Sequence, residues 1–383
     1  MSVRGDQLQL ATRGSALARR QATTVQEKLT QRRLSVELVE VETTGDQIQD
    51  ELIHRLGTTG AFVRSLDEKV LSGELDAAVH SMKDMPTEGP EELVVAGVPE
   101  RAPAGDLLVT PDGRGLDDLP EGATVGTSSL RRQAQLLAER PDLDIEPLRG
   151  NVDTRIEKLL APSLQREHEA RTEAESDELA EYDDPDAEPS DDEESSDGDA
   201  EEYDRTVEEW FDDLTEIERQ ALGREVGTEY DAICLAEAGL ARSGLLGTVE
   251  YERLDPSTVV PAPGQGAIAV TAVDGDLAER IHEILDHPPT RVETTVERVV
   301  LAELGGGCVA PVGIHAKLQG EYVNTSVRVL SADGTEQVRA TRDLPVQRHA
   351  EAAREFAADL AAQGAAELIE QARRDEPDDA KRA

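Results

Sequence analysis

Residues 123–140, ATVGTSSLRRQAQLLAER, contain the pattern that decides the fold of this chain. A short apolar run typical of a strand ends in three small hydroxyl residues, and a helical pattern begins directly after them. Strand-like runs are followed by helical patterns in further stretches, which read LQLATR (8–13), DAAVHS (76–81), DIEPLRG (144–150) and YDAICLAEAG (230–239). This alternation predicts an α/β fold with parallel sheets covered by helices, and ligands at the carboxyl ends of the strands.

The last third of the sequence follows another pattern. Residues 282–306 have a helical pattern, and residues 313–344 predict a hairpin or three-stranded meander with a turn at Asp333-Gly334. Residues 349–374 predict one long alanine-rich helix. Together these elements indicate a separate α+β domain.

Charge excludes several classes of partner. The 383 residues include 82 acidic and 39 basic side chains, which gives a formal net charge of -43. Such a surface repels phosphate backbones and anionic membranes, and 2% aromatic residues provide few stacking platforms for nucleic acid. No stretch has the ~18 apolar residues of a membrane span, and the first residues do not resemble a signal peptide, so we expect a cytoplasmic protein. An acidic, lysine-poor composition resembles that of halophilic proteins, although an ordinary acidic protein is the alternative.

The acidic residues are concentrated in one segment. Residues 161–226 contain 27 Asp and Glu against five Arg and no Lys. A segment with so much like charge buries too little apolar surface to offset its chain entropy. We therefore predict a disordered or loosely helical surface insertion over about 162–226, with one short helix near its end.

Cationic or small hydroxyl residues recur where strands give way to helices. They are Arg13 with Ser15, Lys83 with Asp84, the stretch from Thr127 to Arg132, Arg149 with Arg155, and Arg242. Helix N-termini favour anions, and the arginine side chain binds carboxylates in a bidentate manner. Each residue alone is more typical of a surface ion pair, but their recurrence at equivalent positions indicates a cleft for a polyanion.

The two cysteines lie in different contexts. Cys234 is inside the apolar run YDAICLA, where a small buried core residue is expected. Cys308 lies in the loop sequence GGGCVAP. Two cysteines are too few for a disulfide scaffold.

Seven motifs together resemble those of hydroxymethylbilane synthases, also called porphobilinogen deaminases. They are LATRGSALA, HSMKDMP, VGTSSLRRQAQL, LRGNVDTR, YDAICLAEAGLAR, PAPGQGA and GGGCVAP, in the order found in that family. The resemblance implies two lobes similar to periplasmic binding proteins, with the active cleft between them, and a small C-terminal α+β domain. It places domain 1 at 1–103 plus 264–285, domain 2 at 104–263 and domain 3 at 288–383.

The resemblance also implies a role for particular residues. Cys308 matches the cysteine that forms a thioether to a dipyrromethane cofactor assembled from the substrate, porphobilinogen. Asp84 matches the catalytic carboxylate, which delivers a proton to the leaving amine and removes one from the new pyrrole junction. The residues matched to cofactor binding are Lys83, Asp84, Ser129, Arg131 and Arg132. Those matched to substrate binding are Arg13, Ser15, Thr127, Ser128, Arg149, Gly150, Asn151, Arg155 and Arg242.

The expected reaction joins four porphobilinogen molecules head to tail, releases ammonia at each addition and produces hydroxymethylbilane. The resemblance favours a monomer and implies no metal ion. Thr59 and Gly105 stand where many family members have lysine and arginine. Two alternatives remain open, a non-catalytic carboxylate-binding protein with the same two lobes and an acidic interaction protein that uses its insertion as a partner tail.

Overall fold

The computed structural model describes residues 7–41, 61–183, 203–306 and 310–374. Strands run over Leu8–Arg13 (β1), Val36–Val41 (β2), Ala77–Ser81 (β3), Leu93–Gly97 (β4), Asp106–Thr110 (β5), Thr124–Gly126 (β6), Asp144–Glu146 (β7), Ala232–Ala236 (β8), Glu250–Arg253 (β9), Ile268–Val273 (β10), Val312–Gln319 (β11), Tyr322–Leu330 (β12) and Gln337–Pro345 (β13). Helices run over Ala16–Gln31 (α1), Ala61–Leu71 (α2), Leu130–Glu139 (α3), Val152–Asp183 (α4), Val207–Asp213 (α5), Glu216–Leu222 (α6), Glu237–Ser243 (α7), Asp276–Leu285 (α8), Pro288–Glu303 (α9), His349–Ala362 (α10) and Ala365–Arg374 (α11).

The first lobe is a sheet with helices on both faces. Its strand order is β2-β1-β3-β10-β4, in which β2, β1 and β3 are parallel and β10 is antiparallel to both of its neighbours. Leu8 and Leu10 pack with α1 and α8, whereas Ala11 packs with α2 on the opposite face. Because successive residues of a strand point to opposite faces, this alternation buries both sides of the sheet.

The second lobe repeats this plan. Its strand order is β7-β6-β8-β5-β9, with β7, β6 and β8 parallel and β5 antiparallel to β8 and β9. Ile233 packs with α4 and α7, and the next residue, Cys234, packs with α3 on the other face. Cys234 is fully buried, which confirms the interpretation of this cysteine as a core residue.

Two segments cross between the lobes, at 98–105 and 254–267. They contact each other where the Ala102 amide donates to the Gly266 carbonyl over 3.1 Å. Gly266 has a φ of +84°, and a Cβ at this position would lie 2.4 Å from the Ala102 oxygen, so only glycine fits. Each crossing segment leads directly into the antiparallel strand of the next sheet, β5 in lobe 2 and β10 in lobe 1. The two α/β lobes thus have the periplasmic-binding-protein arrangement that the resemblance implied.

The C-terminal domain has the antiparallel sheet β11-β12-β13, covered by α9, α10 and α11. This confirms the predicted meander, whose second turn contains Gly334 with a φ of +75°. The predicted long helix is wrong in one respect, because Gly364, with a φ of +100°, separates α10 from α11. The domain contacts the second crossing segment, where the Ile314 amide donates to the Pro261 carbonyl over 2.9 Å. The exact domain boundaries stay a prediction.

The acidic insertion is more ordered than the sequence predicts. Helix α4 continues through Pro162 to residue 183, and two short helices, α5 and α6, return along it. Trp210 is only 7% exposed and packs with Ala161, Leu164 and Ala221. Of the two predicted alternatives for 162–226, the described parts are helical and not disordered, and the single short helix predicted near the end is two helices, α5 and α6. A few apolar residues at helical spacing suffice to dock them. No helix in the described ranges is long and apolar enough to cross a membrane.

Candidate active site

The expected catalytic carboxylate lies in a tight turn at the end of β3. Residues Met82–Asp84 form one turn of 3-10 helix, in which Met82 is buried and its amide donates to the Ala267 carbonyl over 3.0 Å. This contact fixes the turn to the second crossing segment, and Gly264 leaves the space for it. Lys83 and Asp84 both remain exposed, and Asp84 makes no hydrogen bond or ion pair within the described ranges.

Lys83 faces positive groups of the opposite lobe. The residue as a whole is exposed, but protein atoms around its charged group displace part of the hydration of that group. This desolvation lowers the pKa of Lys83, and repulsion by Arg132 and Arg155 lowers it further, while Asp84 and Asp106 act in the opposite direction. These interactions indicate that Lys83 and Asp84 of lobe 1 lie near Arg132 and Arg155 of lobe 2. Their shared role in ligand binding stays a prediction.

The hydroxyl residues of the Thr127–Ser129 loop hold the N-terminus of α3. Ser129 is the N-cap residue, and its Oγ accepts from the Arg132 amide over 3.5 Å. The Thr127 Oγ1 accepts from the Ser129 amide over 3.2 Å, and the Ser128 hydroxyl donates to the Leu148 carbonyl over 2.7 Å. The loop is thereby rigid, and it presents a helix N-terminus next to the cleft.

Arg131 and Arg132 are more buried than the sequence indicates. Their side chains form ion pairs with the fully buried Asp106, with N–O distances of 2.7 Å in both cases. Arg132 also donates to the Cys234 carbonyl, and Arg131 to the Val260 carbonyl. The Arg131 Nε is buried and has no hydrogen-bond partner within the described part of the chain.

Asp106 is the carboxylate at the centre of this network. Burial raises its pKa, but attraction by Arg131 and Arg132 and their hydrogen bonds outweigh burial and lower the pKa to about 2. Gln265 donates to the same carboxylate over 2.9 Å, which connects the network to the second crossing segment. Burial also raises the pKa of the Cys234 thiol to about 12, so this cysteine is a poor nucleophile.

The loop between β7 and α4 supplies another group of predicted residues. Gly150 has a φ of +113°, and a Cβ there would lie 2.4 Å from the Thr154 methyl carbon, so the sharp turn requires glycine. The Arg155 Nε donates to the Gly150 carbonyl over 2.8 Å, and desolvation together with Arg132 lowers the pKa of Arg155 to about 10. Asn151 is exposed just before α4, and Arg149 lines a separate pocket beside that helix.

Three predicted residues remain, and they are Ser15, Arg242 and Arg13. Ser15 is the N-cap residue of α1, where its Oγ accepts from the Ala18 amide over 3.3 Å. Arg242, at the end of α7, donates to the Gly266 carbonyl over 2.7 Å, and burial lowers its pKa. Arg13 is the last residue of β1 and lies two residues before Ser15. The Arg20 side chain joins the lobes by donating to the Arg242 carbonyl.

Cys308 and Thr59 lie outside the described residues. The last described residue before Cys308 is Gly306, whose amide donates to the Leu301 carbonyl over 2.9 Å. The next described residue is Ala310, which is buried in the core of the C-terminal domain. Gly105, the other departure from the family pattern, has ordinary van der Waals space at its Cβ position, 3.7 Å from the Glu237 carboxylate.

Glu297 is a buried residue that the sequence analysis missed. It forms a bidentate ion pair with Arg101, with distances of 2.8 and 3.0 Å. It also accepts from the Gly264 amide over 2.7 Å and from the Ala316 amide over 2.8 Å. One carboxylate therefore joins both crossing segments to the C-terminal domain.

Asp106 is a second buried carboxylate that the sequence did not reveal, and the reason is the same for both residues. Each of these carboxylates sits at an ordinary position in the sequence, before an apolar strand or within an amphipathic helix. The one available signal was that Asp106 comes directly before the apolar run LLV. An acidic residue buried in such a strand requires a cationic partner.

Two family models match the chain. The model described as "Porphobilinogen deaminase, dipyromethane cofactor binding domain" matches residues 8–169 and 217–280. The model "Porphobilinogen deaminase, C-terminal domain" matches residues 292–363. The first match leaves out residues 170–216, so the insertion relative to the family is shorter than the predicted 162–226.

Curated relatives agree over nearly the whole length. A probable porphobilinogen deaminase of Halobacterium salinarum is 54% identical, with 96% of this chain and 98% of the relative covered. A probable porphobilinogen deaminase of Methanococcoides burtonii is 36% identical, with 95% and 96% covered. The porphobilinogen deaminase of an Exiguobacterium strain is 34% identical, with 87% and 88% covered. Because both family models match and these relatives are similar over most of their length, the chain belongs to the porphobilinogen deaminase family.

Proposed function

We propose that this chain acts as a hydroxymethylbilane synthase, a transferase that condenses four porphobilinogen molecules in tetrapyrrole biosynthesis. The observation that carries the proposal is the match of both porphobilinogen deaminase family models, and the proximity of Lys83 and Asp84 in lobe 1 to Arg132 and Arg155 in lobe 2 supports it. Porphobilinogen carries two carboxylates and an amine, so its recognition needs cations and its activation needs a proton donor.

Several cleft cations are available for carboxylates of a ligand. Arg155 and Arg242 donate only to backbone carbonyls and have no carboxylate within 4 Å in the described ranges. In a chain with 82 acidic and 39 basic residues, arginines without carboxylate partners are unexpected on a randomly arranged surface. Their positions support a role in holding the acetate and propionate groups of a pyrrole.

The buried end of the cleft also suits a dipyrromethane. The unpartnered Arg131 Nε and the helix N-terminus capped by Ser129 offer donors to a polyanion beside the paired Asp106. When bound, the dipyrromethane supplies a nucleophilic pyrrole carbon as the acceptor for the first substrate. Arg131, Arg132, Lys83 and Ser129 would hold its carboxylates, and Cys308 would hold it covalently.

Asp84 is the residue proposed to move protons. It is exposed in the cleft, one residue from Lys83, and it makes no hydrogen bond or ion pair among the described residues that would occupy its oxygens. A carboxyl group so placed delivers a proton to the leaving amine and accepts one from the pyrrole junction. In this proposal Lys83 and the nearby Arg132 and Arg155 bind the substrate carboxylates, which leaves Asp84 for proton transfer.

Cleft contacts can outweigh repulsion by the acidic surface. An unlike charge pair ~4 Å apart contributes about 4 kcal/mol at an effective dielectric of 20, before desolvation. Charges on the far surface lie beyond the screening length of ~8 Å at physiological salt. We therefore expect binding to depend on the local cations, while the net charge of -43 affects solubility.

An assay of ammonia and tetrapyrrole tests the proposal against a non-catalytic binding protein. Purified chain given porphobilinogen should release four ammonia molecules for each linear tetrapyrrole formed, according to the stoichiometry of the condensation. Binding of porphobilinogen without release of ammonia would support the carboxylate-binding alternative instead. The sequence feature that separates the two is Asp84, which a binding protein does not need.

Three finer points belong to the same proposal. We infer that the protein is cytoplasmic, monomeric and adapted to high salt; the family resemblance favours the monomer, and the acidic, lysine-poor composition supports the salt adaptation. A relative from Halobacterium salinarum at 54% identity agrees with the salt adaptation. Domains at 1–103 plus 264–285, 104–263 and 288–383 are consistent with the strands of the three sheets.

A further inference from the structure

A pocket beside helix α4 lies at the base of the acidic insertion. Its volume is about 240 Å³, and Pro147, Arg149, Lys158, Ala161, Thr228 and Tyr230 contribute to its wall. Pro147 and Arg149 come from the loop after β7, whereas Thr228 and Tyr230 come from the chain returning from the insertion. The Tyr230 hydroxyl donates to the Pro147 carbonyl over 2.9 Å and fastens the two walls together.

The two cations of the pocket lack carboxylate partners. The Lys158 ammonium donates to the Arg149 carbonyl over 3.2 Å, and neither side chain has a carboxylate within 4 Å in the part of the chain described. On the same flank, Arg224 is paired with Glu157 and Arg166 with Glu229. The contrast shows that carboxylates are near, but that the chain directs them to the cations outside the pocket.

Three arginines contribute a positive field at Lys158, although the chain as a whole is acidic. Desolvation lowers the pKa of Lys158, and repulsion by Arg224, Arg155 and Arg149 adds to this effect. A bound anion would relieve that repulsion. Glu225, which is exposed, also contributes to the wall and is the one carboxylate that opposes an anion there.

We propose that this pocket, which Lys83, Asp84, Arg132 and Arg155 do not line, is a second anion site that binds a small oxyanion through Arg149 and Lys158. The volume lies just below the ~300–1000 Å³ of pockets for drug-sized ligands, so it fits a carboxylate or phosphate group with few other atoms. Two sources share this chemistry. One is a free anion such as phosphate, and the other is a carboxylate of the pyrrole chain that the proposed function elongates next to Arg149.

Titration of inorganic phosphate into the holoenzyme tests the site at constant ionic strength set with potassium chloride. The dissociation constant is measured by calorimetry or by the fluorescence of Trp210, the single tryptophan, which packs next to Ala161. Lys158→Met should weaken binding by at least about tenfold, since it removes a charge-assisted hydrogen bond. Thr228→Glu, which places a carboxylate at the wall, should do the same.

Two further variants separate the site from general effects on folding. Glu225→Gln removes the opposing carboxylate and should tighten phosphate binding by roughly threefold, a gain that loss of structure would not produce. Lys28→Met, on α1 of the first lobe, makes the same charge change elsewhere and should leave the dissociation constant as it is in the unmodified protein. Equal affinity in all five proteins, or no saturable binding, would overturn the proposal.

The source of the anion is determined by repeating the phosphate titration on holoenzyme that has been incubated with porphobilinogen. If phosphate affinity falls as porphobilinogen extends the bound chain, a pyrrole carboxylate occupies the pocket. If the affinity is unchanged, the site takes a free anion. The titration of unloaded holoenzyme needs no turnover, so its failure is distinguishable from failure of the proposed function.

Discussion

Asp84 combines exposure in the cleft with the absence of a hydrogen-bond or ion-pair partner among the described residues. We predict that Asp84→Asn lowers kcat by a factor on the order of 10²–10⁴, the usual contribution of a positioned acid or base. KM should change far less, because the cations that hold the substrate are retained. Steady-state kinetics of porphobilinogen consumption provide the measurement.

Asp274→Asn is the matched control for this substitution. Asp274 is an exposed carboxylate of the same lobe, in the turn between β10 and α8. Its replacement should leave kcat within twofold. An Asp84→Asn enzyme that works at the normal rate would remove the proposed role of Asp84.

Asp106 makes stability depend on pH in an acidic window. Its pKa of about 2 is below the unfolded value of ~3.9, so its contribution is present above pH ~4 and is lost as the pH falls toward 2. The shift corresponds to roughly 2 kcal/mol of unfolding free energy. Asp106→Asn should cost more at neutral pH, about 3–5 kcal/mol, since it leaves two buried arginines without their counter-charge.

Urea unfolding of the wild type and Asp106→Asn at pH 7 and pH 3 checks this prediction. The difference in unfolding free energy should shrink at pH 3, because Asp106 is then mostly protonated in the unfolded chain while it stays mostly ionised in the folded one. Asp144→Asn, a substitution of an exposed residue on β7 of the same lobe, should have an effect of less than about 0.5 kcal/mol at both pH values. An equal difference at both pH values would contradict the assigned pKa.

At the scale of elements, the insertion is held by a small apolar cluster. Trp210→Ala removes its largest member and should lower the unfolding free energy by about 3 kcal/mol. The neighbouring Phe211 is 41% exposed, so Phe211→Ala should cost less than about 1 kcal/mol. Circular dichroism during urea unfolding measures both.

Turnover distinguishes a structural insertion from a catalytic one. Trp210 packs with Ala161, Leu164 and Ala221 and not with the predicted site residues near Asp84. The folded fraction of Trp210→Ala should therefore retain porphobilinogen turnover within about twofold. Deletion of 165–225 is a less selective test, because it also removes the packed helices α5 and α6. A loss of turnover without loss of folding would make the insertion part of the catalytic apparatus.

Local patterns predicted the strands and helices that carry the site, but not how the strands are ordered. The junction at Ser129 was evident because a strand, a capping residue and a helix follow each other in sequence. The antiparallel insertion of β5 and β10 was not evident, because each pairs with strands far away in the chain. Nor did the pattern show the break at Gly364, since one glycine is tolerated within a helical pattern.

The site shows the same division. Arginines at the strand ends were identified, whereas the pairing of Arg131 and Arg132 with Asp106 was not, because it joins residues 25 and 26 positions apart. Glu297 likewise joins segments separated by up to 196 positions. Such contacts depend on tertiary packing, for which a single sequence carries little signal.

For the whole molecule, charge dominates the dependence on salt. With a net charge of -43, the folded chain repels itself, and the screening length falls from ~10 Å at 0.1 M to ~3 Å at 1 M salt. We predict that the thermal midpoint rises by several degrees between 0.1 M and 1 M potassium chloride. Chloride is preferred to sulfate here, because sulfate also strengthens apolar burial. A midpoint that is unchanged or lower at high salt would contradict adaptation by surface charge.

The central claim for the whole molecule is a cationic cleft that holds a polyanionic dipyrromethane on Cys308. The mass of the intact purified protein tests it most directly, with Cys234 as the matched cysteine, since that thiol is buried and has a pKa of about 12. Wild type and Cys234→Ala should both carry the added mass of two pyrrole units, and Cys308→Ser should carry none. An active wild type without the added mass, or a Cys308→Ser protein that retains it, would contradict the account.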